Sequence, residues 1–202
     1  DVHSKLIDAI APRFKRNAGD ESINENIDEI NQTSYIIGGS TAQQGAYPWT
    51  VRLEVYYPGA PKARGVCGAV LWNKNHVVTA AHCIRNCKSG KQAEKIKVCI
   101  GDYDQNQNDG EMCYWANQWW PHPSYVYCNL NQLKNDIAVI KISNGMRVPY
   151  WGPNNVGNAN FPWAPNNNTY EGTSTLTGWG QTNPSPYQYP KFPSKMKVVN
   201  LP

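Results

Sequence analysis

Short segments in which apolar and polar residues alternate follow one another from Pro48 onwards. Residues 50–55 read T-V-R-L-E-V, which has the period of two that is typical of a half-buried strand. Residues 65–71 and 96–100 have the composition of strands, and the turn-forming sequence Y-P-G-A-P fills residues 57–61. The pattern therefore predicts a meander of β-strands.

Composition supports the same interpretation. The 202 residues are 40% hydrophobic and include 8 Trp and 12 Tyr, which can supply a core. The 15 Pro and 16 Gly divide the chain into short segments, and that favours β structure with many turns. No run of 18 apolar residues occurs, so we predict no membrane-spanning segment.

One strand pattern ends in a histidine. Residues 77–83 read V-V-T-A-A-H-C, in which two β-branched residues lead through a small turn to His82 and Cys83. Imidazole titrates near neutrality, so a rigidly held histidine is the usual group for accepting a proton from a nucleophile and returning it to a leaving group. A structural histidine is the alternative interpretation, and partners elsewhere in the chain must decide between them.

A candidate partner is Asp136, which starts the otherwise apolar segment N-D-I-A-V-I-K-I at residues 135–142. We expect its carboxylate to be largely buried, which is costly unless the charge is paired and hydrogen-bonded. The imidazole N–H of His82 would satisfy it. An aspartate that merely caps a strand end is the alternative interpretation.

Five segments, in the same order and spacing, resemble the trypsin-like serine proteases of the chymotrypsin fold. They are the His82 and Asp136 segments together with I-I-G-G at 36–39, P-H-P-S-Y at 121–125 and T-G-W-G at 177–180. The resemblance implies an all-β fold of two antiparallel β-barrel lobes, in which His82 is the general base and Asp136 orients it. We expect a complete first barrel over residues 36–143 and an incomplete second one near 173–202.

The serine nucleophile of that family lies in a Gly-Asp-Ser-Gly-Gly loop, which these residues do not contain. Ser174, Ser185 and Ser194 do not match its context. Because a triad works as a unit, we expect the 202 residues alone to be inactive, with the serine and the specificity pocket beyond Pro202. The chain is then part of a serine endopeptidase acting on proteins or peptides, or an inactive homologue acting as a binding module. Retention of the His–Asp pair favours the endopeptidase.

Residues 1–35 differ in charge from the rest. They carry 4 basic and 7 acidic residues, whereas residues 36–202 are basic. We predict that residues 1–35 are a pro-segment and residues 36–202 a peptidase domain. By resemblance, Ile36 is the N-terminus that an activating protease releases from a zymogen, although Tyr35 stands where most relatives carry Arg or Lys. A Gly-Gly turn at residues 38–39 is the alternative interpretation.

Six cysteines without a C-x-x-C pair predict three disulfides in a secreted protein, rather than a metal site. The resemblance implies the pair Cys67–Cys83. A pair Cys99–Cys113 would cross a hairpin whose loop is at residues 101–110, and a pair Cys87–Cys128 would join loops beside the active site.

The loop at residues 101–111 collects acidic side chains and amides. Hard oxygen ligands in a flexible loop suit Ca²⁺, and the family often binds calcium at this place. The loop length and the final Glu do not match the calcium loop of the family cleanly, so a solvated turn is the alternative interpretation. No other cofactor is predicted. The four acidic residues are Asp102, Asp104, Asp109 and Glu111.

Surface features complete the sequence-based picture. Asn31 and Asn167 are acceptors of N-x-T sequons, so we expect glycosylation if the chain is secreted. Lysines at 88–97 and tryptophans at 115–120 are compatible with nucleic-acid binding, but in a disulfide-bonded extracellular domain they favour a solvated rim. We therefore predict no nucleic-acid partner, and expect a protein substrate, an activating protease and protein inhibitors instead.

Overall fold

The structure is a computed structural model that describes Ile36 and residues 39–59, 64–86, 90–126, 134–147, 173–182 and 192–201. The predicted pro-segment, Tyr35, the Cys87–Cys128 pair and the sequons at Asn31 and Asn167 lie outside these residues. No helix in the described ranges is long and apolar enough to cross a membrane.

Ten β-strands and one 3-10 turn, Ala81–Cys83, make up the regular structure of the described residues. The strands are β1 Ser40–Thr41, β2 Thr50–Tyr56, β3 Arg64–Asn73, β4 His76–Thr79, β5 Lys95–Ile100, β6 Met112–Trp115, β7 Gln118–Pro121, β8 Ala138–Lys141, β9 Ser174–Gly178 and β10 Lys197–Leu201.

Seven strands form one antiparallel sheet in the order β6-β5-β2-β3-β4-β8-β7. The edge strands β6 and β7 are consecutive in the chain, with only Ala116 and Asn117 between them. The Ala116 N–H donates to the Ile96 carbonyl and the Asn117 N–H to the Lys141 carbonyl, both at 2.9 Å. The sheet therefore curls round until its edges meet, which confirms the first barrel.

The interior of this barrel is formed by the apolar residues of the alternating strands. In β2, Val51, Leu53 and Val55 are at most 1% exposed, and Val98 and Ile140 from β5 and β8 pack in the same cluster. Each buried side chain of this size stabilises the fold by about 1.5–3 kcal/mol. The barrel is thus a rigid support for the loops at its rim.

The opposite face of β2 carries charges that are also buried. Arg52, Glu54 and Asp102 are 7%, 4% and 3% exposed. The Arg52 guanidinium donates from Nε to Asp102 and from Nη1 to Glu54 Oε1, the latter at 2.8 Å. Arg52 therefore balances two buried carboxylates at the outer wall of the barrel.

Replacing Arg52 with leucine should lower the free energy of unfolding by about 3–5 kcal/mol, because it leaves two buried carboxylates without their common cation. Urea denaturation measures the change. Lys97→Gln is the matched control, since the Lys97 side chain is 34% exposed and its Nζ lies 4.0 Å from Glu54 Oε2. The control should cost about 1 kcal/mol at most, as exposed ion pairs do. Equal effects of the two substitutions would contradict this account.

A second sheet has the order β1-β10-β9, also antiparallel. The prediction placed residues 36–143 in the first barrel, but β1 instead pairs with β10, and the Ala42 N–H donates to the Met196 carbonyl. The Thr50 and Thr177 hydroxyl groups, 2.7 Å apart, join the two sheets. Within the described residues the second lobe is a three-stranded sheet, in agreement with the incomplete second lobe expected from the sequence.

Candidate active site

The chain between β4 and the 3-10 turn presents His82 at the barrel rim. Ala80 is extended, with φ −77° and ψ 145°, and the turn begins at Ala81, whose side chain is buried. Cys83 at the end of the turn forms a disulfide with Cys67 of β3. A disulfide also joins Cys99 and Cys113, so both predicted pairs that fall on described residues are present.

The turn brings His82 against Asp136. The His82 Nδ1 atom lies 2.8 Å from Asp136 Oδ2, and the His82 backbone N–H donates to Oδ1 at 2.9 Å. Both carboxylate oxygens are thus engaged by one residue, and Nε2 is the ring nitrogen left for other partners. Asp136 precedes β8 by two residues, rather than starting the strand as the sequence predicted.

Asp136 carries the negative charge of the pair. Burial by itself raises the pKa of its carboxyl group, but hydrogen bonding to the His82 ring, the charge of that ring and the backbone N–H groups of His82 and Ala81 outweigh burial and hold the pKa below its usual value. The carboxylate therefore stays ionised at neutral pH. In that form it can only accept a hydrogen bond, so Nδ1 is the donor of the pair, and Nε2 is the ring nitrogen that does not contact the carboxylate.

No nucleophile stands beside this nitrogen in the described part of the chain. The Nε2 atom lies 3.6 Å from the disulfide sulfur of Cys83, and none of the described hydroxyl groups hydrogen-bonds to it. Cys67, His82 and Cys83 are also the one group of three metal-ligating side chains that converge among the described residues. Because the two sulfurs are bonded to each other, the group does not have the thiolates that a zinc site requires.

The backbone before Asp136 takes a conformation that the sequence did not reveal. Asn135 has a φ of 59°, a left-handed conformation in which asparagine is several-fold enriched. Its side chain donates to the Ser124 carbonyl at 2.9 Å, and the His122 N–H donates to the Ile137 carbonyl at 2.9 Å. The segment at 121–125 therefore holds the aspartate loop in place. An Asn before an Asp is a weak signal for such a turn.

Tyr125 is the buried neighbour of this loop, at 8% exposure. Its hydroxyl group is enclosed and has no hydrogen-bond partner in the structure. Burial and then the charge of Asp136 raise the pKa of Tyr125 to about 12, so the phenol stays neutral. Tyr125 therefore adds no second charge beside Asp136.

Ile36, the predicted activation residue, is 3% exposed and lies at the second sheet. Its N–H donates to the Gln181 carbonyl at 2.8 Å. Its side chain packs against Gly39 and Gly178. A Cβ atom added at Gly39 would lie 2.8 Å from Ile36 Cγ2, and one added at Gly178 would lie 3.7 Å from Ile36 Cδ1. Gly39 of the I-I-G-G sequence and Gly178 of the T-G-W-G sequence thus both lie against the buried Ile36 side chain.

Replacing Gly39 with alanine should therefore lower the free energy of unfolding by about 1–3 kcal/mol, the usual cost of overpacking. The new methyl group would lie 2.8 Å from both the Ile36 Cγ2 atom and the Val198 carbonyl oxygen. Gly68→Ala is the control, because a Cβ atom at Gly68 meets nothing within 4 Å. Urea denaturation of both variants tests this packing, and a Gly39→Ala protein as stable as the control would contradict it.

Two carboxylates of the acidic loop at residues 101–111 accept hydrogen bonds from backbone N–H groups of the same loop. Asp109 Oδ2 accepts from the Asp104 N–H at 2.7 Å, and Glu111 Oε2 accepts from the Asp109 N–H at 3.1 Å. Asp102 is paired with Arg52. One oxygen each of Asp102 and Asp109 is buried without a partner, which fits a hard cation, but the four carboxylates do not converge on one point. Calcium binding here stays a prediction.

Comparisons with known proteins agree with this geometry. The family model described as Trypsin matches residues 36–202. A trypsin of Xenopus laevis is 32% identical over 169 residues, covering 83% of this chain and 58% of that protein. A serine protease of Scolopendra subspinipes is 31% identical over 164 residues, covering 79% of this chain and 52% of that protein.

A solved structure described as "Structure of GrC" has the same fold, with a TM-score of 0.63 at 23% identity. The match covers 82% of this chain and 64% of that one. The chain spans 52–58% of the length of the two relatives named above. With the family match over residues 36–202 and the barrel that presents His82 to Asp136, the chain belongs to the trypsin family of chymotrypsin-fold serine proteases.

Proposed function

We propose that this chain carries the general-base half of a secreted serine endopeptidase that is made as a zymogen. The observation that supports this most strongly is the double contact of Asp136 with His82, through the ring Nδ1 and through the backbone N–H. A binding module needs neither a fixed imidazole nor a carboxylate aligned to it. The two disulfides in the described residues support an oxidising, extracellular location.

In the proposed reaction, a serine outside these residues attacks the carbonyl carbon of a peptide bond. His82 Nε2 takes the serine proton as the C–O bond forms, and gives it to the amine nitrogen as the C–N bond breaks. Water then repeats the sequence on the acyl-enzyme. Asp136 keeps the Nδ1–H tautomer and stabilises the imidazolium ion between the two transfers.

Activation would occur at the bond between Tyr35 and Ile36. The support for this bond is the resemblance of residues 36–39 to the N-terminus that the family releases on activation. In the uncleaved chain Ile36 is already buried, and its backbone N–H donates to the Gln181 carbonyl. Because residue 35 is a tyrosine, the activating protease should accept aromatic residues. Protein substrates and protein inhibitors are the partners expected of such an enzyme.

The test is to express the chain with its native continuation, cleave it after Tyr35 and measure peptide hydrolysis with and without a serine-directed acylating inhibitor. We expect hydrolysis that appears only after Ile36 is released and that the inhibitor abolishes. The uncleaved protein is the control. A cleaved, folded protein without hydrolysis would instead support the inactive homologue that binds partners through its loops.

A further inference from the structure

The 3-10 turn that carries His82 is held at three points, and one of them is a tyrosine outside the His–Asp pair. The Asp136 carboxylate accepts from the His82 backbone N–H, and the disulfide to Cys67 holds the Cys83 side chain. The third contact is the phenolic O–H of Tyr57, which donates to the Cys83 carbonyl at 2.8 Å. Tyr57 follows β2 and lies 26 residues before Cys83 in the chain.

The accepting carbonyl needs this contact. The last carbonyl groups of a helical turn have no partner within the turn, and Cys83 is only 5% exposed, so little water reaches it. A buried carbonyl left unsatisfied is costly, and a turn that loses such a contact relaxes towards a position where the carbonyl finds another donor. His82 is the residue immediately before this carbonyl and would move with it.

The Tyr57 hydroxyl group is itself fixed in place. Its ring packs against the barrel core and lies beside Gly65 on the neighbouring strand, where a Cβ atom would be in ordinary contact with it, 3.6 Å from Tyr57 Cε2. Burial raises the pKa of Tyr57, so the hydroxyl keeps its proton and stays a donor at working pH. The Cys83 carbonyl therefore has a donor that is held by the packing of its own ring.

We propose that Tyr57 is a positioning residue for His82, acting through the Cys83 carbonyl. The inference rests on the proposed endopeptidase function, because it concerns the alignment of the base in that reaction. Loss of the hydroxyl group should lower kcat about tenfold with little change in KM. The displacement expected is smaller than the 1 Å shift that costs about a hundredfold in rate.

Tyr57→Phe in the extended and activated protein tests this, because it removes the hydroxyl group and keeps the ring that packs in the core. Tyr56→Phe is the matched control: the Tyr56 hydroxyl donates to Glu54 Oε2 at 3.0 Å on the outer face of the barrel, away from His82. We expect the kcat loss only for Tyr57→Phe. Thermal denaturation of both variants verifies that they fold.

A second readout does not depend on hydrolysis. Because His82 Nδ1 lies 2.8 Å from Asp136 Oδ2, we expect the proton between them to give a low-field ¹H NMR resonance. Its exchange with solvent should be faster in Tyr57→Phe than in the parent or in Tyr56→Phe. If the extended protein hydrolyses nothing, the proposed function fails and this resonance still tests the positioning. Equal proton exchange in the two variants, or an equal kcat loss, would overturn the inference.

Discussion

Replacing His82 with alanine in the extended, activated protein should lower kcat by about 10⁶-fold, the usual effect of removing the base of a serine protease triad. The reason is geometric: Nε2 of this ring is the basic nitrogen left free once Nδ1 is bound to Asp136 at 2.8 Å. Steady-state hydrolysis of a peptide substrate measures the loss. KM should change little, because the imidazole acts on the reacting serine rather than on substrate affinity.

The control for this substitution is His76→Gln, at the start of β4. His76 Nδ1 lies 3.1 Å from Asn73 Oδ1 in the turn before the strand, and that turn is at the opposite end of β4 from His82. Its replacement should leave kcat within about twofold, since most substitutions away from the site change neither fold nor chemistry. Hydrolysis that survives in His82→Ala would show that the base is another residue.

The second large effect is expected for Asp136→Asn. An asparagine side chain can donate to Nδ1 but cannot hold the Nδ1–H tautomer, so the proton moves to Nε2 and the base is lost; kcat should fall by about 10⁴-fold. A pH–rate profile checks the cause. The fall should become smaller at high pH, where hydroxide can take over the role of the base. A variant with parent-like kcat would contradict the assignment of Asp136.

The same variant reports on stability at low pH. The pKa of Asp136 is lower in the folded protein than its usual value of about 3.9, so its contribution is complete above that value and is lost as pH falls through the folded pKa. We therefore expect the parent to lose stability relative to Asp136→Asn as the pH falls below about 4, because the unfolded chain then binds a proton at this carboxylate before the folded protein does. Urea denaturation at a series of pH values above and below this point measures the difference, and parallel curves would contradict the lowered pKa.

Local patterns predicted much of the first barrel because its strands are specified by their own residues. The alternation at residues 50–55 predicted a half-buried strand, and in β2 the apolar positions Val51, Leu53 and Val55 are indeed buried. A half-buried strand would expose its polar positions, yet Arg52 and Glu54 are buried as well. Their burial depends on the loop around Asp102, which is some 50 residues further along the chain and invisible to a local pattern.

The second sheet shows the opposite case. Strand β1, Ser40–Thr41, is too short to have a period, and its partner β10 lies at the other end of the chain. No local signal could have paired them. Around the candidate site, the His82 and Asp136 segments were recognisable as motifs, whereas Asn135 and Tyr57 contribute through a backbone angle and a single hydroxyl group. A backbone angle and a single long-range hydrogen bond become visible only in the folded structure.

The most direct test of the central claim, that His82 is the base of a serine endopeptidase, is covalent labelling of the extended and activated protein by a serine-directed acylating inhibitor, read by mass spectrometry with peptide mapping. The account predicts one adduct per chain, on a serine outside the 202 residues, formed by the parent and by His76→Gln but not by His82→Ala. Equal labelling of parent and His82→Ala, or no labelling of a folded parent, would contradict it.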